Sequence, residues 1–139
     1  MKSWLLPCNP KYYDIKGVYE NLKTVDWKQS VSKAEVGDLA YIYVSAPIGA
    51  VAYKCEVVAV NKAVPTVDDR RFHINAKAYA EYGKYMELKF IGSYDREELG
   101  FAALGEHGLK GRVQCQRSID GELKDYIEEM SYPASRLRE

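Results

Sequence analysis

Hydrophobic and polar positions alternate most clearly between residues 37 and 60, GDLAYIYVSAPIGAVAYKCEVVAV. In an extended chain Leu39, Tyr41, Tyr43 and Ser45 share one side, and Ala40, Ile42 and Val44 the other. After the APIG break, Val51, Tyr53, Cys55, Val57 and Ala59 alternate with Ala52, Lys54, Glu56 and Val58. Period-two alternation rich in β-branched and aromatic residues, interrupted by Pro and Gly, predicts a hairpin. Its first strand is apolar on both sides, which predicts a central strand covered on both faces. Gly37-Asp38 predicts a tight turn, because Gly accepts positive φ and Asp bonds nearby backbone. This hairpin is the expected centre of a sheet.

Residues 3–8 read as a short apolar strand. Asn9-Pro10 then predicts a helix start, running to about Leu22 and burying Tyr13, Val18 and Leu22. Residues 23–30, with Trp27 in the middle, lead toward the hairpin. A polar loop spans 61–69, a short helix is expected over 76–82, and 84–92 alternates as another strand. Residues 96–106 fit a helix stopped by Gly108, and 109–116 read as loop. Leu123, Tyr126, Ile127 and Met130 at i, i+3, i+4, i+7 predict a last helix, ended by Pro133. The order β-α-β-β-β-α-α predicts one α/β (α+β) domain over 1–130, a curved mixed sheet or open barrel flanked by helices. Residues 131–139 are expected to be a tail or linker.

At 139 residues the chain suits one domain that buries about 70% of its unfolded surface. Twenty basic and twenty acidic residues cancel, so no global field draws the chain to nucleic acid or membrane. A nucleic-acid partner must then be met by a local basic patch. No eighteen-residue apolar run exists for a membrane span, and the first ten residues are too soon interrupted for a secretory signal. Three scattered cysteines without close spacing predict reduced, buried thiols in a cytoplasmic protein rather than metal ligands.

His73 and His107 have no partner at a metal or triad spacing, and no phosphate loop, dinucleotide fingerprint or nucleophile elbow occurs. The chain alone therefore reads as non-catalytic, without cofactor or metal. Trp27 sits among Asp26, Lys28, Gln29 and Ser30, and two readings stand open for it. It closes the core, or it is a stacking wall for a base, worth ~1–3 kcal/mol. A second wall would come from Phe72, Tyr79, Tyr82 or Tyr85. Arg70, Arg71, Lys110, Arg112 and Arg117 are loop cations that, with Lys28, would form a phosphate-facing rim if they share a face.

WLLPCNPKYYD (4–14), VDWKQS (25–30), VGDLAYIYVSAPIGAVAYKCEV (36–57) and GLKGRVQCQRSIDGELKDYI (108–127) together resemble the EVE domain. That family belongs to the PUA-like group, with the YTH readers of modified bases. The resemblance is greatest to EVE modules at the N-terminus of modification-dependent restriction proteins that carry an HNH nuclease. Cys115 departs from the glycine expected there. The resemblance implies a PUA-like barrel with an aromatic pocket for a flipped base, Trp27 in WKQS being the first wall. It implies further walls near Phe72 and Tyr82, and polar lining from Asn9, Ser30 and Ser45.

The expected function is a module that binds a modified base, 5-methyl- or 5-hydroxymethylcytosine in DNA. The alternatives are a reader of modified RNA, the specificity part of a larger nuclease, and an enzyme acting on a free nucleotide. Flipping costs a few kcal/mol, and a carbon-5 methyl returns only about 0.8 kcal/mol.

Overall fold

The computed structural model describes residues 1–74 and 84–137, with side chains described as far as residue 131. Six strands, β1 (Ser3–Cys8), β2 (Thr24–Lys28), β3 (Leu39–Val44), β4 (Ala50–Lys62), β5 (Tyr85–Ser93) and β6 (Arg117–Ile119), form one sheet. Their order is β2-β5-β4-β3-β1-β6. β1 and β3 are parallel and the other pairs antiparallel. The sheet curls into a half-barrel flanked by α1 (Ile15–Asn21), α2 (Phe101–Glu106) and α3 (Gly121–Leu137). The expected mixed, curved sheet is what the chain forms.

The hairpin lies at the middle, as its alternation predicts. Ala40, Ile42 and Val44 of β3 enter one core, with Trp4, Leu6, Val18, Met86 and Leu88. Tyr41 and Tyr43 enter the other, under α2 and α3, with Leu99, Leu104, Leu123 and Ile127. A bulge between Ile42 and Tyr43 shifts the register, so that Ile42 faces Tyr53 and Tyr43 faces Val51. The extra residue swaps the side-chain phase. Val51 therefore joins the second core while Tyr53 joins the first, although plain alternation put them on one face.

Asp38 welds the start of β3 to β1. The turn before it has Gly37 at φ 97°, a backbone conformation that favours glycine. Its buried carboxylate accepts from Trp4 Nε1 at 2.8 Å, Lys2 N at 3.0 Å and Glu35 N at 2.9 Å.

Four expectations change. The first helix begins at Ile15, with Asp14 as its cap accepting from Gly17 N at 3.1 Å. Asn9 instead closes a turn, its Oδ1 accepting from Lys11 N at 3.0 Å. Residues 24–28 are a strand rather than a lead-in. The expected helix over 96–106 is a 3-10 turn at Glu97–Leu99 followed by α2, and β6 was too short to show a period. Finally α3 continues through Pro133 to Leu137, so the expected boundary at 130 falls within it. An interior Pro removes one hydrogen bond and can kink a helix without ending it. The helix expected over 76–82 lies outside the described residues. Among the described residues no helix is long and apolar enough to cross a membrane.

Candidate nucleic-acid interface

Trp27 lies on β2, an edge strand paired only to β5, with Met86 opposite it. Strand alternation sends Val25 and Trp27 toward the first core and Asp26 to the other side. Val25 is fully buried there, while Trp27 is half-buried and packs on the rim of that core. The Tyr13 ring meets Trp27 edge-on, with centroids 5.9 Å apart at 85°. Such T-shaped pairs are electrostatically favoured. The indole is thus clamped from one side by a second aromatic ring.

Asp26 fastens a loop beside it. Its side chain is 2% exposed and meets Lys62 Nζ at 2.5 Å. It also accepts from Thr66 N and Val67 N, both at 2.6 Å. Lys62 is shared with Glu87 at 3.0 Å and donates to Thr66 Oγ1 at 2.6 Å. Burial opposes the Lys62 charge, but the bonds to Asp26 and Glu87 outweigh it and hold its pKa above the ordinary lysine value.

That loop leads to a 3-10 turn at Arg70–Phe72, which returns to Tyr13. Asp14 N donates to Phe72 O at 2.8 Å, Ile74 N donates to Tyr12 O at 3.0 Å, and Tyr13 and His73 form an antiparallel bridge. Asp69 is buried. One of its oxygens accepts from Tyr13 Oη at 2.5 Å, and the other lies 3.2 Å from His73 Nε2. The Tyr13 and His73 rings are 5.0 Å apart. A buried carboxylate bonded at both oxygens is fixed in place. Trp27, Tyr13, His73 and Asp69 therefore form one braced wall.

The basic loop before β6 reaches this wall through Gln116. Its Nε2 donates to Lys28 O at 2.6 Å, and its Oε1 accepts from Ser30 N at 3.0 Å. β2 and β6 are the two edges of the sheet. One side-chain amide thus imitates a strand residue and bridges the open seam. Arg117 Nη1 and Nη2 donate to Lys110 O at 3.2 Å and Arg112 O at 3.5 Å, folding the loop on itself. Gln29, also buried, ties the end of β2 to β4. It accepts from Asn61 N at 2.8 Å and donates to Asn61 Oδ1 at 3.3 Å.

Of the expected rim, Lys28, Lys110 and Arg112 meet this seam through their backbone carbonyls, Arg117 spends its guanidinium on two of those carbonyls, and Ser30 spends its N–H on Gln116. Arg70 instead pairs with Asp68 at 3.0 Å, which holds the Asp68 carboxyl down at about 2. Arg71 lies over the Phe72 ring, 4.7 Å from its centroid.

Phe72, expected as a second wall, is 7% exposed and belongs to the core. It packs so close to α1 that a Cβ on Gly17 would lie 2.9 Å from its ring. The place beside Trp27 is taken by Tyr13, which the sequence put on a helix face. Tyr79 and Tyr82 lie outside the described residues, and Tyr85 is buried. Asn9 and Ser45 sit side by side at the ends of β1 and β3, Ser45 N donating to Cys8 O at 3.0 Å. Among the described residues neither bonds to Trp27. Asp69, His73 and Gln116 were missed as partners, because their contacts are made by the loop path and leave no spacing in the sequence.

The curled mixed sheet with helices on both faces defines a PUA-like fold, and the solved structures it matches are of that kind. ASCH from Zymomonas mobilis superposes with a TM-score of 0.64 at 10% identity, over 94% of this chain and 96% of that one. A Pseudomonas syringae protein gives 0.65 at 16% identity, over 92% and 98%. An Agrobacterium tumefaciens protein gives 0.53 at 10%, over 99% and 92%. At these identities the likeness is one of fold alone. No protein-family model and no curated protein matches the sequence.

Proposed function

We propose that this chain is a non-catalytic module that binds a nucleic acid and receives a flipped modified base, 5-methyl- or 5-hydroxymethylcytosine in DNA, against Trp27. The braced Trp27–Tyr13 wall beside a latched cationic loop is the observation that carries this reading. Stacking on an aromatic face is worth ~1–3 kcal/mol per base, which offsets much of the few kcal/mol that flipping costs. In this reading Lys28, Lys110, Arg112 and Arg117 supply the positive charge for the flanking phosphates. The ASCH and PUA-like fold is associated with RNA and nucleic-acid binding, which supports the class of partner. The resemblance to EVE modules supports DNA and a companion HNH nuclease. Both histidines are engaged in ways that fit a binding role: His73 with Asp69, and His107 stacked on Tyr126 at 3.7 Å and beside Glu122 at 3.3 Å.

The test is competition binding with modified and unmodified DNA and RNA oligonucleotides, paired with thermal unfolding of Trp27→Ala. Loss of the stacking face should weaken modified-base binding roughly ten- to hundred-fold. Trp27 also packs on Tyr13, so the variant should lose about 2–3 kcal/mol of stability, below the range of a fully buried Trp. Affinity is therefore compared per folded molecule. Equal affinity of the wild type for modified and unmodified strands, or an unchanged affinity in folded Trp27→Ala, would refute the reading.

A further inference from the structure

A cleft of about 600 Å³ opens between α1, the start of β4 and the end of β5. None of its lining residues belongs to the Trp27 wall or to the Gln116 seam. Its aromatic walls are Tyr19 of α1 and Tyr53 of β4, with ring centroids 5.1 Å apart at 44°. Phe90 packs on both rings, at 5.3 and 5.8 Å, and so holds the walls in place. Tyr53 is 8% exposed, yet among the described residues its hydroxyl has no hydrogen-bond partner. Burial pushes its pKa up to about 12, with smaller contributions from Cys8, Glu20 and Asp14, so it stays protonated. A buried polar group left unbonded is costly, and a bound molecule that supplies the bond recovers that cost.

Charges of both signs meet at the mouth. Lys16 and Glu20 stand one turn apart on α1, Asp95 follows β5, and all three are exposed. Among the described residues none of them forms an ion pair. Lys before Glu is the less favourable order for a pair four residues apart on a helix. Opposite charges that line one cleft without neutralising each other are complementary to a ligand that carries both. We propose that this cleft binds a small zwitterion with an aromatic side chain, the chemistry of a free aromatic amino acid. Its carboxylate meets Lys16, its ammonium lies toward Glu20 and Asp95, and its ring packs on Tyr19 and Tyr53. The Tyr53 hydroxyl, donor and acceptor at once, bonds the head group. The volume falls within the ~300–1,000 Å³ of small-molecule sites. Two carboxylates at the mouth disfavour a phosphate, which sets this cleft apart from the nucleic-acid interface.

The experiment is titration of the full chain, followed by calorimetry and NMR, with three probes. These are L-phenylalanine, N-acetyl-L-phenylalanine, which lacks the ammonium, and L-phenylalaninamide, which lacks the carboxylate. L-Phenylalanine should saturate with a Kd of about 1 mM or below, the range for a ligand of its size. Each blocked probe should bind roughly tenfold more weakly. Lys16→Gln should bring L-phenylalanine down to the level of the amide. Tyr53→Phe should weaken L-phenylalanine roughly tenfold at an unchanged Tm, since the hydroxyl it removes holds nothing in the empty protein. Trp27→Ala should leave this binding as it is. No saturable binding of L-phenylalanine, or equal affinity for all three probes, would overturn the proposal. So would full affinity in both Lys16→Gln and Tyr53→Phe. A loss in folded Trp27→Ala as large as that in Tyr53→Phe would put the amino acid in the base pocket and overturn the cleft as its site.

Discussion

Asp26 is the residue on which the loop through Thr66 and Val67 hangs, and replacing it by Asn isolates that role. The side chain keeps its size, but an amide presents a donor at one of its two ends. In one orientation the NH2 meets the Lys62 ammonium, and in the other it meets the N–H groups of Thr66 and Val67, which now lie 2.6 Å from Oδ2. One set of donors is left facing a donor in either case. Hydrogen bonds to a charged group contribute about 1.5–3 kcal/mol each. Breaking a fully buried ion pair costs about 3–5 kcal/mol. Lys62 keeps Glu87 at 3.0 Å, so the expected loss for Asp26→Asn is about 2–3 kcal/mol, toward the lower of those figures. For a domain of this length that corresponds to a fall in Tm of roughly 10 °C. The assay is thermal unfolding of the wild type, Asp26→Asn, Lys62→Met and the double variant, as a cycle. Strong coupling between 26 and 62 is expected, together with faster amide exchange at residues 66 and 67. A Tm unchanged within a degree, or additive single effects, would show that Asp26 does not hold the loop.

Two further outcomes follow from buried groups. Burial raises the Asp38 carboxyl, but the bonds from Trp4, Lys2 and Glu35 outweigh it and hold its pKa below the ordinary value. Its contribution is therefore full above the unfolded carboxylate pKa, about 3.9, and is lost as pH falls through the lower folded value. Asp38→Asn should flatten the acid limb of a Tm-against-pH curve between about pH 5 and 2, and an unaltered acid limb would argue against this role. Burial pushes the Cys8 thiol up to about 12 and the Cys55 thiol higher still, whereas Cys115 is exposed. Ellman's reagent at pH 8 should therefore titrate Cys115 in the native protein and the other two only on unfolding, since the thiolate is the nucleophile. Rapid modification of all three would contradict the buried positions.

The hairpin was legible because burial on both faces writes a period-two pattern directly into residues 39–59. β2 was not, since an edge strand holding Asp26 and Trp27 on opposite sides mixes an ion-pair network with a half-buried ring. Asn9-Pro10 carries a helix-start signal, yet the chain uses it for a turn that delivers Tyr13 to Trp27, and Asp14 caps the helix instead. Trp27 itself stood out by its polar neighbours. It packs on the rim of the core and keeps some exposure. The groups that brace its surroundings were hidden because Asp69 and His73 act through Tyr13, and Gln116 bonds Ser30 and Lys28 across 86 and 88 residues.

The Gln116 bridge also bears on the order of folding. Its two bonds close loops of 86 and 88 residues. Closing such a loop alone costs about 4 kcal/mol beyond a constant, by the logarithmic dependence on length. Two solvent-accessible hydrogen bonds contribute about 0.5–1.5 kcal/mol each, too little to draw the ends together unaided. The seam must therefore shut after β5, β4, β3 and β1 have paired and carried the two edges to each other. Contacts that form late and cost little to break are also the first to open in the native state. Ser30 N should exchange its amide hydrogen well before the N–H groups of β3, which makes the seam beside Trp27 the line along which this half-barrel breathes.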